Sequence, residues 1–499
     1  MGARHVRTNT NRAWFATAGI VVLAWFFSAG LATASPWAEV GDDQLRADIN
    51  LLAASGVIDN VTTQWPIPWG GVLARLDQPD SLKGQPAYVV AAAQRVHDRG
   101  YAETGTGRIR YNATFDLTNN PSVVRGFETT ARQDVQGIAS AELTLDSTAI
   151  RLAVGARSTN PRDHQVLVLD NSYIAQRIGN AAVYAGYMTH WWGPGHFSAL
   201  SLSNNARPFP QVGITRISTA PFESPWLSWI GPWQAEFFVG WLDGPRVVRN
   251  TLYNGLRVTF SPLPGLEIGL ARTDQFCGEG HVCKPIATYF NFTNDPGHPS
   301  PTNDEGVFDV RYTNKIRNVP FEIYTQIMNE DSSPITHSGS SHLFGASIWL
   351  PFSEATARLT VEYTDTVATR DIFSFGNYLY GFTYNNFMYA DGMRYRGNAM
   401  GFSLDNDSRL ATVQFSMIDK RNVTYSLTYH HANVSSANPI SRGMNVLTPV
   451  PVTINMGEAR LSVPYSTMRF QLVGRLQDNQ LPPDHGFAAA VEAIVSLNL

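Results

Sequence analysis

The chain has 499 residues, of which 43% are hydrophobic, 11% aromatic and only 16% charged, and its formal net charge is −4. Soluble domains carry about 25% charged residues, so this composition argues against disorder and against an ordinary water-soluble surface. The charge balance provides no basic surface for nucleic acid. Two cysteines exclude a disulfide-built scaffold and a cysteine-rich metal cluster.

The first 34 residues have the pattern of an export signal. Three arginines precede an apolar run over residues 13–32, and an Ala-Thr-Ala sequence at 32–34 provides small residues for cleavage. We expect residues 1–34 to be a signal peptide that is removed after export. An uncleaved membrane anchor is the alternative, because the run is long enough to span a bilayer.

Residues 35–104 have helical periodicity. An aspartate at position 42 or 43 can cap a helix in which Leu45, Ile49 and Leu52 share one face, and Pro86 can open a second helix. Because a segment of this length can form only a small hydrophobic core, we expect it to pack on a larger part of the protein. We predict a small helical periplasmic module, which either docks a partner or acts as a plug that closes the larger body.

From residue 105 to residue 499, apolar and polar residues alternate with the period of a β-strand. The alternation is clear at residues 109–117, 150–157, 321–327, 357–364, 423–430 and 487–499. The polar positions carry Arg, Thr, Gln, Asn and Ser, whereas the whole chain has only four Lys. An apolar exterior around a polar interior is typical of a transmembrane barrel, which also pairs every backbone group within lipid. We predict an all-β transmembrane barrel of about 18 antiparallel strands; residues 368–398 do not alternate clearly and leave a margin of about two strands.

The connections between these strands alternate in length. Short turns are predicted at 261–265, 351–355 and 464–467, and long loops at 274–305, 330–341 and 431–456. Transmembrane barrels have short periplasmic turns and long outer loops. We therefore expect the long loops at the surface of a bacterial outer membrane, with the C-terminus and the helical module on the periplasmic side.

Cys277 and Cys283 lie in one predicted long loop. In an exported protein, this spacing favours a disulfide. Metal binding together with His281 is the alternative, although two cysteines and one histidine leave a tetrahedral site incomplete.

The densest group of unusual residues lies at 189–210. Aromatic faces pack on sugar rings, amides bond to hydroxyl groups and arginine binds carboxylates with two hydrogen bonds. The alternative is structural, because tryptophan also marks membrane interfaces and Asn, Pro and Gly build loops; that interpretation is favoured for Trp226, Trp229 and Trp233. The candidate ligand-binding residues are Trp191, Trp192, His196, Asn204, Asn205 and Arg207.

Catalytic patterns are missing from the sequence, which contains neither G-x-S-x-G nor H-E-x-x-H. His430 and His431 are adjacent on a predicted strand and face opposite sides, so they do not easily share a metal. Asp405 and Asp407 lie in a sequence typical of a tight turn rather than of a carboxylate pair. We predict no catalytic residue, no metal site and no cofactor.

Several segments spread over most of the chain carry a family resemblance: 37–49, 65–70, 191–195, 203–208, 395–398 and 401–408. In these segments the chain resembles the Wzi family of capsule assembly proteins. The resemblance implies an eighteen-stranded outer-membrane barrel with an N-terminal periplasmic helical module, and lectin-like binding of exported capsular polysaccharide at the cell surface. It implies no catalytic residue.

We therefore predict a binding protein, not an enzyme, that helps to attach or assemble capsular or extracellular polysaccharide at the cell surface. Its expected partners are this polysaccharide, outer-membrane lipid and the polysaccharide export machinery, and it is expected to be a monomer. The alternative is a porin or channel for acidic oligosaccharides, in which arginines in the lumen select anions. A third class is an outer-membrane hydrolase.

Overall fold

The computed structural model describes residues 37–159, 163–283, 302–330, 339–352, 355–436, 438 and 443–499. The predicted signal peptide and most of the loop predicted at 274–305 lie outside these residues. None of the helices in the described part of the chain combines the length and the apolarity needed to cross a bilayer.

Within the described residues, eighteen long antiparallel strands close into a barrel. The ring closes where the last strand pairs with the first, with Leu497 opposite Ala113. The predicted all-β barrel of about 18 strands is confirmed. The strands are β1 Ile109–Thr118, β2 Val135–Thr144, β3 Thr148–Arg157, β4 Tyr173–Ile178, β5 Ala181–Tyr187, β6 Pro210–Arg216, β7 Trp233–Trp241, β8 Leu252–Leu263, β9 Leu266–Phe276, β10 Asn303–Ile316, β11 Val319–Glu330, β12 Ser340–Phe352, β13 Ala355–Thr369, β14 Arg409–Ile418, β15 Thr424–Val434, β16 Val452–Tyr465, β17 Met468–Gln477 and β18 Ala488–Asn498.

The strands direct apolar side chains outward and polar side chains into the lumen, as β13 illustrates. Val361 and Tyr363 are 48% and 40% exposed on the outer face, whereas Thr360 and Glu362 are buried inside. Because the side-chain period of a strand is two, a shift of one residue would place Glu362 on the outer face. The predicted alternation therefore fixes the register of the barrel wall.

From residue 37 onward, three helices precede the barrel: α1 Asp43–Ala54, α2 Trp69–Leu76 and α3 Ala87–Thr104. The carboxylate of Asp42 caps α1 by accepting a hydrogen bond from the backbone N–H of Leu45 at 3.0 Å. Helix α3 lies at the end of the barrel that carries the short turns, which we call the turn end. There, the hydroxyl of Tyr88 donates to the carbonyl oxygen of Asn318 in the β10–β11 turn at 2.9 Å.

Helix α1 and the segment that follows it lie inside the barrel. Nearly all of α1 is buried. The backbone N–H groups of Thr62 and Thr63 donate to the carboxylate of Glu267 on β9, at 2.7 and 2.9 Å. Arg311 on β10 donates to Glu267 and to the side chain of Asn60, at 2.9 and 2.8 Å. We call residues 37–68 the plug, because they occupy the lumen.

Ion pairs attach the plug to the wall. Glu39 is in contact with Arg151 of β3. Asp43 pairs with Arg358 of β13, with 2.6 Å between the carboxylate oxygen and the guanidinium nitrogen. Both carboxylates are partly exposed, so solvent keeps each pair below the roughly 3–5 kcal/mol that loss of one partner costs in a fully buried pair. The plug is therefore attached to the wall by polar groups that a lipid-facing surface could not accommodate.

Candidate functional site

The loop between β5 and β6, residues 188–209, carries all six predicted ligand-binding residues and folds into the lumen. None of the six exposes more than 7% of its surface: Trp191, Trp192, His196, Asn204, Asn205 and Arg207. The structure therefore places all six inside the barrel rather than at its surface, and ligand binding by them stays a prediction. Burial of the large indole rings removes apolar area from water, and this favours folding of the loop into the barrel.

The two tryptophans join this loop to the plug. Trp191–Trp192 pairs antiparallel with Gln64–Trp65, with Trp191 opposite Trp65. The guanidinium of Arg46 on α1 lies 5.4 Å from the centre of the Trp191 ring and donates to the carbonyl oxygen of Pro194 at 2.9 Å. Three of the segments that carry the family resemblance, 37–49, 65–70 and 191–195, therefore meet inside the barrel, where they have a structural role.

The backbone conformation at position 193 of this loop requires a glycine. Gly193 has a φ of 140°, which L side chains rarely adopt. A Cβ atom at this position would also collide with the side chain of Gln326. That amide donates to the carbonyl oxygen of Trp192 at 2.8 Å and so holds the loop against β11.

His196 lies in a buried polar network. Its Nε2 atom is 3.0 Å from a carboxylate oxygen of Glu322, and its backbone N–H donates to Glu362 at 2.6 Å. Its Nδ1 atom is 3.2 Å from the guanidinium of Arg358. These partners belong to the barrel wall, so His196 anchors the loop.

The remaining three predicted residues are also occupied by protein partners. Arg207 donates to both carboxylate oxygens of Asp170, at 2.7 and 3.1 Å. The amide of Asn204 donates to a main-chain carbonyl at 2.9 Å, and that of Asn205 to the carbonyl oxygen of Ala399 at 2.8 Å. The residue types that suggest saccharide binding are used here to satisfy a carboxylate and two main-chain carbonyl groups of the protein itself.

The loops at the other end of the barrel, which we call the loop end, enclose a cavity of about 530 Å³. Three segments line it: residues 244–246 between β7 and β8, residues 385–397 between β13 and β14, and residues 443–446 between β15 and β16. Concave sites of this size are typical of small-ligand binding. This cavity is the candidate functional site.

Hydrogen bonds and ion pairs fix the floor of the cavity. The hydroxyl of Tyr395 donates to Asp243 and accepts a hydrogen bond from Arg396 at 3.1 Å. Burial raises the pKa of Tyr395, so the phenol stays protonated and remains a donor. Arg394 donates through two nitrogens to Asp405, at 2.9 and 3.0 Å. Because these groups satisfy one another, the floor is rigid before any ligand arrives.

The rim of the cavity carries an exposed aromatic ring. Phe387 is 86% exposed, and Met444 is half-exposed beside the opening. The neighbouring amide of Asn385 is used within the loop, since it donates to Gly381 at 3.0 Å and accepts from Arg394 at 2.9 Å. The sequence analysis did not identify Phe387, because residues 368–398 show no clear alternation of apolar and polar residues. The available signal for a binding residue was the Asn-Asn-Phe sequence at 385–387, which places an aromatic residue beside two amides.

The disulfide-bonded loop buttresses this cavity. Cys277 is bonded to Cys283. The hydroxyl of Tyr389 donates to the carbonyl oxygen of Cys277 at 3.0 Å, and the ring of His281 stacks on Tyr389 with 4.6 Å between ring centres. Residues 277–283 therefore pack against the segment that forms one wall of the cavity.

The other candidates from the sequence have structural roles. Asp405 and Asp407 are buried and have positive φ angles of 65° and 49°, as tight turns require. Asp407 accepts a hydrogen bond from the backbone N–H of Gly381 at 2.9 Å. His430 faces the lumen and bonds to Thr412 at 2.8 Å, whereas His431 bonds to Asn455 on another face.

Comparison with known proteins identifies the family. The family described as "Capsule assembly protein Wzi" matches residues 102–479. A Klebsiella pneumoniae protein, described as an uncharacterized 55.8 kDa protein in the cps region, is 27% identical over 337 residues, 65% of this chain and 64% of that protein. The chain thus spans less than two thirds of that curated relative.

A solved structure has the same fold. It is the Escherichia coli protein Wzi, described as an outer membrane protein involved in group 1 capsule assembly and as a carbohydrate-binding β-barrel. The two proteins are 22% identical, the match covers 93% of this chain and 99% of the other, and the TM-score is 0.78. With a family match over most of its length, the chain belongs to the Wzi family of capsule assembly proteins.

Proposed function

We propose that this protein is an outer-membrane saccharide-binding protein that holds capsular or extracellular polysaccharide at the cell surface through its loop-end cavity. Membership of the capsule assembly family supports this function, as does the carbohydrate binding described for the Escherichia coli protein of the same fold. The observation in this chain that carries the proposal is the Phe387 ring, exposed at the rim of a cavity of about 530 Å³.

An exposed aromatic ring beside a rigid polar cavity is suited to a sugar. Large apolar side chains that remain in water at a concave site mark a surface that another molecule covers. The face of an aromatic ring packs against the C–H groups of a pyranose, while donors beneath it bond to hydroxyl groups. A polymer that presents the same unit many times would be retained even if each contact is weak.

We propose that this cavity faces the outside of the cell. Long loops of transmembrane barrels face outward and short turns face the periplasm. The loop-end cavity would then face the polysaccharide, and helices α2 and α3 would lie at the periplasmic end. We propose a role in binding rather than catalysis. In support, the carboxylates of Asp405 and Asp407 are engaged by Arg394 and by backbone N–H groups.

A retention assay tests this function. Phe387→Ala is expected to weaken retention of the cell's own surface polysaccharide on immobilised protein by about tenfold, or about 1.4 kcal/mol, because the stacking surface is lost. Phe373→Ala is the matched control, since Phe373 is 81% exposed on the same connection between β13 and β14 but does not line the cavity. Equal retention by the two variants would reject the cavity as the binding site.

A further inference from the structure

Three arginines line the loop-end cavity, and two of them are neutralised within the protein. Arg394 pairs with Asp405, with 2.8 Å between nitrogen and carboxylate oxygen. Arg396 pairs with Asp243 at 3.4 Å. The charges of Arg394 and Arg396 are therefore compensated by carboxylates of the protein itself.

The third arginine, Arg246, lacks such a partner. Its Nη1 atom makes a long hydrogen bond of 3.4 Å to the carbonyl oxygen of Arg394, and its Nε and Nη2 atoms are buried without an acceptor. Among the described residues, Arg246 forms no ion pair within 4.0 Å, although the charge of Asp391, beyond that distance, partly opposes the lowering of its pKa by burial. Asp391 also lines the cavity, but it accepts a hydrogen bond from the backbone N–H of Val247 at 2.7 Å.

An unpaired, partly buried guanidinium is costly unless an anion completes it. Burial of a charge without a counter-charge or hydrogen-bond acceptors is unfavourable, and burial indeed lowers the pKa of Arg246. The planar fork of a guanidinium matches a carboxylate, which can accept two parallel hydrogen bonds. The cavity thus combines an unused forked donor with an aromatic ring at its rim.

We infer that the loop-end cavity is a site for an acidic sugar unit, with the ring carboxylate of a uronic acid bound by Arg246 and the sugar ring packed on Phe387. This inference rests on the proposed function and names the chemical class of its ligand. A neutral sugar would leave the guanidinium with only the charge of Asp391, which forms no direct ion pair with it, so we expect the site to discriminate by charge as well as by shape.

Short oligogalacturonates provide the probe, together with the same oligosaccharides after reduction of each carboxylate to a primary alcohol. We expect the full-length protein to bind the acidic form about tenfold more tightly than the reduced form, because a hydrogen-bonded charge pair is lost. Arg246→Gln is expected to bring this ratio close to one. Arg246→Lys keeps the charge without the fork and is expected to retain part of the preference.

Arg249→Gln is the matched control, because Arg249 is exposed in the same loop and does not line the cavity; it should keep the wild-type ratio. Equal binding of both probes by wild-type protein, or an unchanged ratio in Arg246→Gln, would overturn the inference while leaving the proposed function in place. Failure of wild-type protein to bind either probe or the cell's own polysaccharide would overturn both. Because Arg246→Gln removes an unpaired charge, its unfolding midpoint should not fall below that of wild type.

Discussion

Single charged side chains in this protein are stabilised by the polar lumen. Arg257 is fully buried and bonds to both oxygens of Asp309, at 2.8 and 3.0 Å. It also donates to the hydroxyl of Thr63 on the plug at 3.0 Å. In a lipid-facing position the same charge would be unfavourable, so the barrel can use buried arginines only on its inner face.

Glu39 on the plug makes the molecule sensitive to pH. Burial raises the pKa of this carboxyl from 4.5 to about 7, although the nearby Arg151 opposes the shift. Burial also raises the pKa of Glu128 to about 7. A raised carboxyl pKa means that the folded state favours the protonated form. The stability that these groups contribute is therefore complete below their ordinary pKa and is lost as the pH rises through about 7.

We expect the unfolding midpoint of the wild-type protein to fall relative to that of a Glu39→Gln, Glu128→Gln double variant as the pH rises from about 4.5 to above 7. Thermal unfolding followed by tryptophan fluorescence measures this difference. Glu223→Gln, a change at an exposed residue of the β6–β7 connection, should follow the wild type. Parallel curves for wild type and double variant across this range would contradict the assignment.

At the scale of elements, the loops determine which part of the barrel is filled and which part forms a cavity. The loop of residues 188–209 enters the lumen and pairs with the plug, whereas the segment of residues 370–408 stays at the loop end and forms most of the cavity. Both are rich in aromatic and amide side chains. Their different roles follow from the space available, because the lumen already holds the plug, the loop of residues 188–209 and Phe127 of the β1–β2 connection, which contacts Trp65 and Trp191.

The disulfide-bonded loop is predicted to support ligand binding from outside the cavity. Replacing Cys277 and Cys283 by serine should weaken polysaccharide retention about fivefold, or about 1 kcal/mol, because Tyr389 loses a fixed acceptor and the wall must be ordered on binding. Treatment of the wild-type protein with a thiol reductant should produce the same loss. Unchanged retention in both samples would show that this loop does not position the wall.

At the scale of the whole molecule, a barrel of eighteen strands is wide enough for an aqueous channel. Here the lumen contains the plug and the loop of residues 188–209, and the indole rings of Trp65, Trp191 and Trp192 are fully buried. This filling opposes the porin alternative and favours a barrel that anchors a binding surface.

Electrical conductance measures directly whether the lumen is filled. In planar bilayers, we expect the purified protein to pass little steady current compared with an open porin of about 16–18 strands, because hydrogen bonds and ion pairs attach the plug to the wall. An empty-detergent preparation provides the baseline. Stable porin-sized steps would contradict a filled lumen and revive the channel alternative.

Sequence periodicity predicted the barrel wall because the side-chain period of a strand is a local property. Residues 357–364 show which side chains face lipid without knowledge of any other strand, and the capped start of α1 at Asp42 follows from the same local chemistry. Strand alternation and helix capping could not show which residues line the loop-end cavity. Trp191 and Phe387 are both aromatic residues in polar loops, yet one is buried and the other exposed.

By itself, the sequence determined the strand periodicity, the choice of inner and outer faces and the family resemblance. Only the tertiary structure decided that residues 188–209 fold inward, and that Arg246 and Phe387, far apart in the chain, line one cavity. The physical reason is that the alternation of apolar and polar residues determines the two faces of one strand without reference to any other segment. The burial of a loop, and the lack of a partner for a charge, depend instead on how distant segments share the space that the closed barrel leaves them.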